Sequence, residues 1–209
     1  STTYLAVAHG LSADNKSASV FAPKVITELE VGTTPLSGYA EVVLSNVAAP
    51  ARNVHAALQK YVADGGLLMI FPGNRTDTAR MNEALGESGA KLLPAPYGQP
   101  VKLEHADQLA AGIKFDPEGF THPVLQMFGE AAAAGKDVGF TSVQTSEYLK
   151  LAVPQDGTVE TILRYLARPN SIADAAVVTK AIGKGRVVEF ASSADTTWNS
   201  FAAEPSFVP

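Results

Sequence analysis

The strongest periodic signal begins after Pro50. Val54, Ala57, Leu58, Tyr61 and Val62 fall at i, i+3, i+4, i+7 and i+8, which draws one apolar stripe down a helix that stops at Gly65-Gly66. Before it, residues 39–47 (YAEVVLSNV) form a compact apolar block. Immediately after it, residues 67–71 (LLMIF) form another. Such blocks bounded by turn residues read as strands covered on both faces. A strand, a helix and a strand joined by short loops imply a parallel pair with a right-handed crossover, so the pattern predicts an open α/β sheet.

The rest of the pattern fills in around that unit. Tyr4, Leu5, Ala8 and Leu11 are spaced for a short helix over 3–11, and residues 19–30 carry Val20, Val25, Ile26 and Leu29 around Pro23, which suits an edge strand. Residues 32–38 read as loop. Residues 76–85 predict a helix with Thr76 or Asp77 at its start. From 90 to 145 the periodicity decays into an irregular excursion, with small helices expected at 105–111 and 124–134. Strands are expected at 146–153, 158–166 and 175–182, and Gly183-Lys184-Gly185 turns into a last strand over 186–191. The expected architecture is a three-layer, largely parallel open sheet in a single domain, 1–209, with a β-rich C-terminal third.

Composition narrows the function classes. With 209 residues and 46% hydrophobic content the chain can bury a sizeable core. The 21 acidic and 16 basic residues leave a net charge of -5 without any lysine or arginine run to follow a phosphate backbone, which argues against nucleic acid as a partner. The absence of cysteine excludes disulfides, thiolate metal sites and thiol nucleophiles. No stretch approaches the roughly 20 apolar residues that cross a bilayer. The abrupt start at Ser1 and the end at Phe207-Val208-Pro209 read as a segment excised from a longer protein.

Three motifs carry a resemblance when taken in order: GGLLMIFPGN (65–74), HPVLQMF (122–128) and AIGKGRVVEFASSAD (181–195). The chain resembles the class I glutamine amidotransferase-like domain of bacterial aerotolerance (Bat) type membrane proteins, which carry it beside a von Willebrand A domain. That resemblance implies a flavodoxin/amidotransferase-like fold, a membrane-tethered parent displaying the domain outside the cytoplasm, and partners within a membrane-associated complex. Catalytic members of the superfamily hold a Cys at the sharp turn after a central strand, with His and Glu on a later strand end. The matching turn here is Phe71-Pro72-Gly73-Asn74-Arg75, and the later strand end reads Ala191-Ser192-Ser193-Ala194-Asp195. Neither an amide nor glycine can act as nucleophile, so the expectation is a domain without catalysis.

Other chemistry is thin. The four histidines, His9, His55, His105 and His122, have no zinc-motif spacing, so no metal or other cofactor is implied. Gly183-Lys184-Gly185-Arg186 leads into a strand rather than a helix, which suits a hairpin and not a phosphate loop. Ser192 and Ser193 lack a G-x-S-x-G elbow. The strand ends should nevertheless present a polar cleft of Asn46, Asn74, Arg75, Ser193 and Asp195, walled by Trp198. Three readings stay open: a non-catalytic module for assembly or ligand sensing, a hydrolase using Ser193 or a recruited metal, and a binder of carbohydrate or another small polar ligand. The competing explanation for the cleft residues is that the two asparagines serve turns, Asp195 caps, and Trp198 fills the core.

Overall fold

The computed structural model describes residues 2–8, 22–105, 111–116, 122–126, 129–130, 139–140, 142–167 and 171–204. The strand–helix–strand unit stands where the pattern put it: β1 (Glu41–Ser45), α2 (Arg52–Ala63) and β2 (Leu67–Phe71), preceded by α1 (Thr2–Ala8). The stripe on α2 is buried through Val54, Leu58, Tyr61 and Val62. Leu58 and Val62 are fully enclosed, each contributing about 1.5–3 kcal/mol of apolar burial.

Among the described residues seven strands make two sheets. β1, β2, β5 (Glu160–Arg164), β6 (Ala175–Ile182) and β7 (Gly185–Phe190) form the main sheet in the order β1-β2-β7-β6-β5, while β3 (Tyr97–Lys102) and β4 (Glu147–Leu151) pair on their own. β2 lies between two parallel neighbours, with Ser45 opposite Phe71 and Ile70 opposite Glu189. That central position is why LLMIF is apolar on both faces. β1 is an edge strand, and Leu44 alone of its residues is fully buried. Beyond β7 the pairing turns antiparallel through β6 and β5, so the sheet is open and mixed rather than parallel throughout.

The hairpin between β6 and β7 also serves α2. Gly183 has φ +61°, as the first central position of a two-residue turn requires, and the amide of Lys184 donates to Ala63 O at 3.0 Å. A Cβ on Gly185 would stand 2.1 Å from Val62 O. The glycines therefore let a hairpin press onto the helix end and satisfy a carbonyl that the helix leaves open. On α3 (Thr78–Leu85) the start is capped by Asp77, whose side chain accepts the Arg80 amide at 3.1 Å.

Four expectations change. The described part of the 19–30 segment, from residue 22, is extended chain and turn rather than strand: Pro23 has no donor, and Glu30 draws the Thr27 amide and hydroxyl onto its carboxylate at 2.7 Å each. The 90–145 stretch contains β3, hidden in the sequence by Gly98 and Pro100, which sit where the register with β4 shifts. Residues 123–125 form a 3-10 turn and 129–130 are helical, while 131–134, 106–110 and 9–11 of the expected helices lie outside the described residues. β1, β4 and β5 are one or two residues shorter at each end than the apolar runs suggested, whereas β6 has the expected bounds and β7 begins and ends one residue earlier.

Candidate functional site

β1, β2 and β7 run side by side in the same direction, so their carboxyl ends open onto one end of the sheet. At the first of these ends Asn46 adopts φ +55°, a left-handed conformation that asparagine tolerates better than most residues. Its backbone amide donates to Phe71 O at 2.9 Å, and its side chain then bridges outward. Nδ2 donates to Asn74 Oδ1 at 2.9 Å, and Oδ1 accepts the Arg75 amide at 2.9 Å. A Cβ on Gly73 would lie 2.4 Å from that same Oδ1, so the turn after β2 needs glycine for the Asn46 amide to fit. Thr76 Oγ1 accepts the Gly73 amide at 3.0 Å and donates to Val47 O at 3.3 Å. Arg75 points away, to Glu28 Oε1 at 3.1 Å, in an exposed pair of modest worth.

The end of β7 is held by a separate network. Ser192 Oγ donates to Glu147 O at 2.8 Å and accepts Asn199 Nδ2 at 2.9 Å. Ser193 Oγ donates to Asp195 Oδ1 at 3.0 Å, and Thr197 N reaches the same oxygen at 3.0 Å. Burial pushes the Asp195 carboxyl up, but the bonds from Thr197 and Ser193 outweigh it and leave the group below the usual carboxylate range. Trp198 is buried in the core and offers its carbonyl to the Ser146 amide and hydroxyl, at 2.7 and 2.9 Å. So Asn46, Asn74 and Arg75 are brought together, as are Ser193 and Asp195. Trp198 walls no open cleft, and its ring is packing.

No described histidine enters. Among the described residues, His55 Nε2 pairs with Pro50 O at 3.1 Å and His122 Nε2 with Glu160 Oε2 at 3.3 Å, while none contacts Ser45, Ser192 or Ser193. His9 lies outside the described residues. No three His, Asp or Glu side chains converge on a common point among the described residues. No described helix is long and apolar enough to cross a membrane.

The sequence reading missed Glu189. It occupies a row across the sheet with Leu44, Ile70 and Val178 and is wholly enclosed. Oε2 accepts the Ala95 amide at 2.9 Å, Oε1 has no partner, and the Tyr97 phenol stands nearby, itself donating to Phe190 O at 3.4 Å. Burial drives the Glu189 carboxyl well above its ordinary range, which favours the protonated form. The available signal was a lone charge inside the run VVEF, at a position whose neighbours alternate inward.

No protein-family model and no curated protein sequence matches the chain. Solved structures do. Cytoplasmic protein STM1381 from Salmonella typhimurium LT2 superposes with TM-score 0.65 at 17% identity, over 99% of this chain and 82% of that one. Cytoplasmic protein STM3548 from Salmonella typhimurium gives 0.56 at 18% identity, over 90% and 72%. A β-galactosidase from Rahnella sp. R3 gives 0.50 at 16% identity, over 85% of this chain but 22% of the enzyme. The shared element is an amidotransferase-like α/β fold.

Proposed function

We propose that the domain is a non-catalytic amidotransferase-like module, acting in assembly or ligand sensing as part of a larger, membrane-tethered protein. One observation carries the reading. At the turn where a catalytic relative would present its thiol, the Asn46 amide fills the space over Gly73 and binds Asn74 and Arg75 instead. That arrangement holds the turn but leaves nothing able to attack a carbonyl. The hydroxyl that the sequence offered instead, Ser193, donates its hydrogen bond to Asp195, and no described histidine is bonded to it.

The membrane-tethered setting and the partners within such an assembly come from the ordered motifs GGLLMIFPGN, HPVLQMF and AIGKGRVVEFASSAD. Use of this fold as one part of a longer chain has a parallel in the β-galactosidase, where it matches about a fifth of the length. The test is turnover. The purified domain is assayed for glutamine hydrolysis and for hydrolysis of activated esters, beside Ser193→Ala. The expected result is no rate above buffer for either protein. Turnover that disappears in Ser193→Ala refutes the reading in favour of a serine hydrolase.

A further inference from the structure

Just before β3 the chain reads Pro94-Ala95-Pro96, and between two prolines the Ala95 amide is the one backbone donor. It goes to Glu189 Oε2 at 2.9 Å, on β7, the middle strand of the main sheet. We propose that this contact is a proton-operated latch: with Glu189 protonated the 94–96 strap stays down on the sheet, and with Glu189 ionised it lifts and admits water. The inference goes beyond the non-catalytic reading above and does not depend on it.

Glu189 sits where a charge is hard to keep. It is wholly enclosed, with Ile70 beside it on β2 and Val178 on β6, and its Oε1 has no partner to hold a charge in place. The charged groups on the surrounding elements are turned elsewhere. Lys180, further along the same face of β6, pairs with Glu87 at 3.7 Å. α2, which packs on β7, turns Leu58 and Val62 inward and leaves Lys60 and Asp64 paired with each other in solvent. α3 keeps Arg80 and Glu83 exposed, and Arg186 on β7 itself lies on the opposite face, where it reaches Thr179. The titratable neighbour is the Tyr97 phenol, which burial holds well above its ordinary range. Burial likewise lifts the Glu189 carboxyl, against the pull of the Ala95 amide and the Tyr97 phenol.

An ionised Glu189 therefore needs water, and the strap is the side that can yield. β2 and β6 are tied to β7 by strand ladders, and the hairpin before β7 presses on α2. The strap has no ladder. Its hold on the main sheet is the Ala95 bond, to which the Tyr97 phenol adds a long contact of 3.4 Å with Phe190 O. Its ends are fastened elsewhere: the Leu92 and Leu93 amides give to Leu85 O at 2.7 and 2.8 Å, and the Tyr97 amide gives to Asn82 Oδ1 at 2.8 Å. Pro96 O accepts the Ala152 amide at 2.9 Å, which joins the strap to the chain after β4. Pro96 is itself exposed, so solvent is one residue from the latch. Fixed ends and proline-set backbone angles let so short a strap rise and reseat while the sheet stays folded.

The experiment is amide hydrogen exchange by NMR on the whole chain from pH 5 to 8, with each rate divided by its intrinsic value at that pH. Ala95 should be at least about a hundredfold less protected than Val187, because it exchanges through local opening. Its protection should fall about tenfold per pH unit, because the open state gives up the Glu189 proton that the closed state keeps. In Glu189→Gln the side-chain oxygen still accepts the Ala95 amide and does not titrate, so protection at Ala95 should be independent of pH. Should that variant fail to fold, carbon-13 NMR of the glutamate carboxyls in the parent decides: Glu189 should still be protonated at pH 5.5, where exposed glutamates, near about 4.3, have ionised. The latch is overturned by Ala95 protection that is flat with pH in the parent, that equals the protection of Val187, or that falls as steeply in Glu189→Gln. An ionised Glu189 carboxyl at pH 5.5 overturns it equally.

Discussion

Asn46 and Asn74, 28 residues apart, join through an amide–amide hydrogen bond of 2.9 Å across the carboxyl ends of β1 and β2. The bond ties the turn after the central strand to the edge strand. It also explains why Asn46 is held in a left-handed conformation: only there do its two polar atoms reach both Asn74 and the Arg75 amide.

Replacing Asn46 with alanine removes both bonds and leaves a β-carbon residue at positive φ. The expected loss is about 2–3 kcal/mol in urea unfolding, from about 1 kcal/mol per bond and about 1 for the backbone. Asn46→Gly should recover the backbone part. A double-mutant cycle with Asn74→Ala should give a coupling near 1 kcal/mol; a coupling near zero would mean that the pair is incidental.

Glu189 should make stability fall with rising pH. Its folded-state pKa is raised by burial, so the folded chain holds a proton that the unfolded chain gives up. The contribution is complete below the unfolded value of about 4.3 and is lost as pH climbs through the folded value. Denaturant unfolding from pH 4.5 to 9 is expected to slope downward more steeply in the parent than in Glu189→Gln. Parallel curves would contradict this.

Asp195 has the opposite sign. Its folded pKa is depressed, chiefly by Thr197 and Ser193 against the pull of burial, so its contribution is present above about 3.9 and disappears as pH falls through the folded value. Ser193→Ala should cost about 1 kcal/mol and reduce the acid loss of stability between pH 4 and 2. An unchanged acid limb would show that the Ser193–Asp195 bond does not hold the charge.

The Gly183–Gly185 turn separates a hairpin from an anion site. Only the backbone amide of Lys184 is used, on Ala63 O, so Lys184→Ala should change stability by less than about 0.5 kcal/mol and leave phosphate binding absent. Gly185→Ala meets two backbone carbonyls, those of Val62 and Gly66, at 2.1 and 2.4 Å. It should cost about 3 kcal/mol or more, seen as a melting temperature lower by roughly 6–12 °C. A mild Gly185→Ala would mean the hairpin does not press on α2.

Much of the fold was legible because its signals are local. The stripe from Val54 to Val62, the Gly65-Gly66 stop and the LLMIF block are periodicities that the chain expresses within a few residues, and α2 and β2 follow them closely. β3 was not legible, because Gly98 and Pro100 are poor strand residues that the bulge against β4 accommodates. At the strand ends the residue types were readable, but their engagement was not. Asn46 with Asn74 is a tertiary bond, and Trp198 is a buried member of the core.

From the order of residues alone came the α/β class, the central strand and the absence of any cysteine to serve as nucleophile, all of which depend on composition or on spacing along one segment. Tertiary structure alone decided that Glu189 is sealed among Leu44, Ile70 and Val178, that Thr145 is left with an unpartnered hydroxyl, and that a hairpin caps α2. The reason is physical: burial and hydrogen-bond satisfaction are properties of what packs against a residue, and those neighbours lie tens of residues away along the chain.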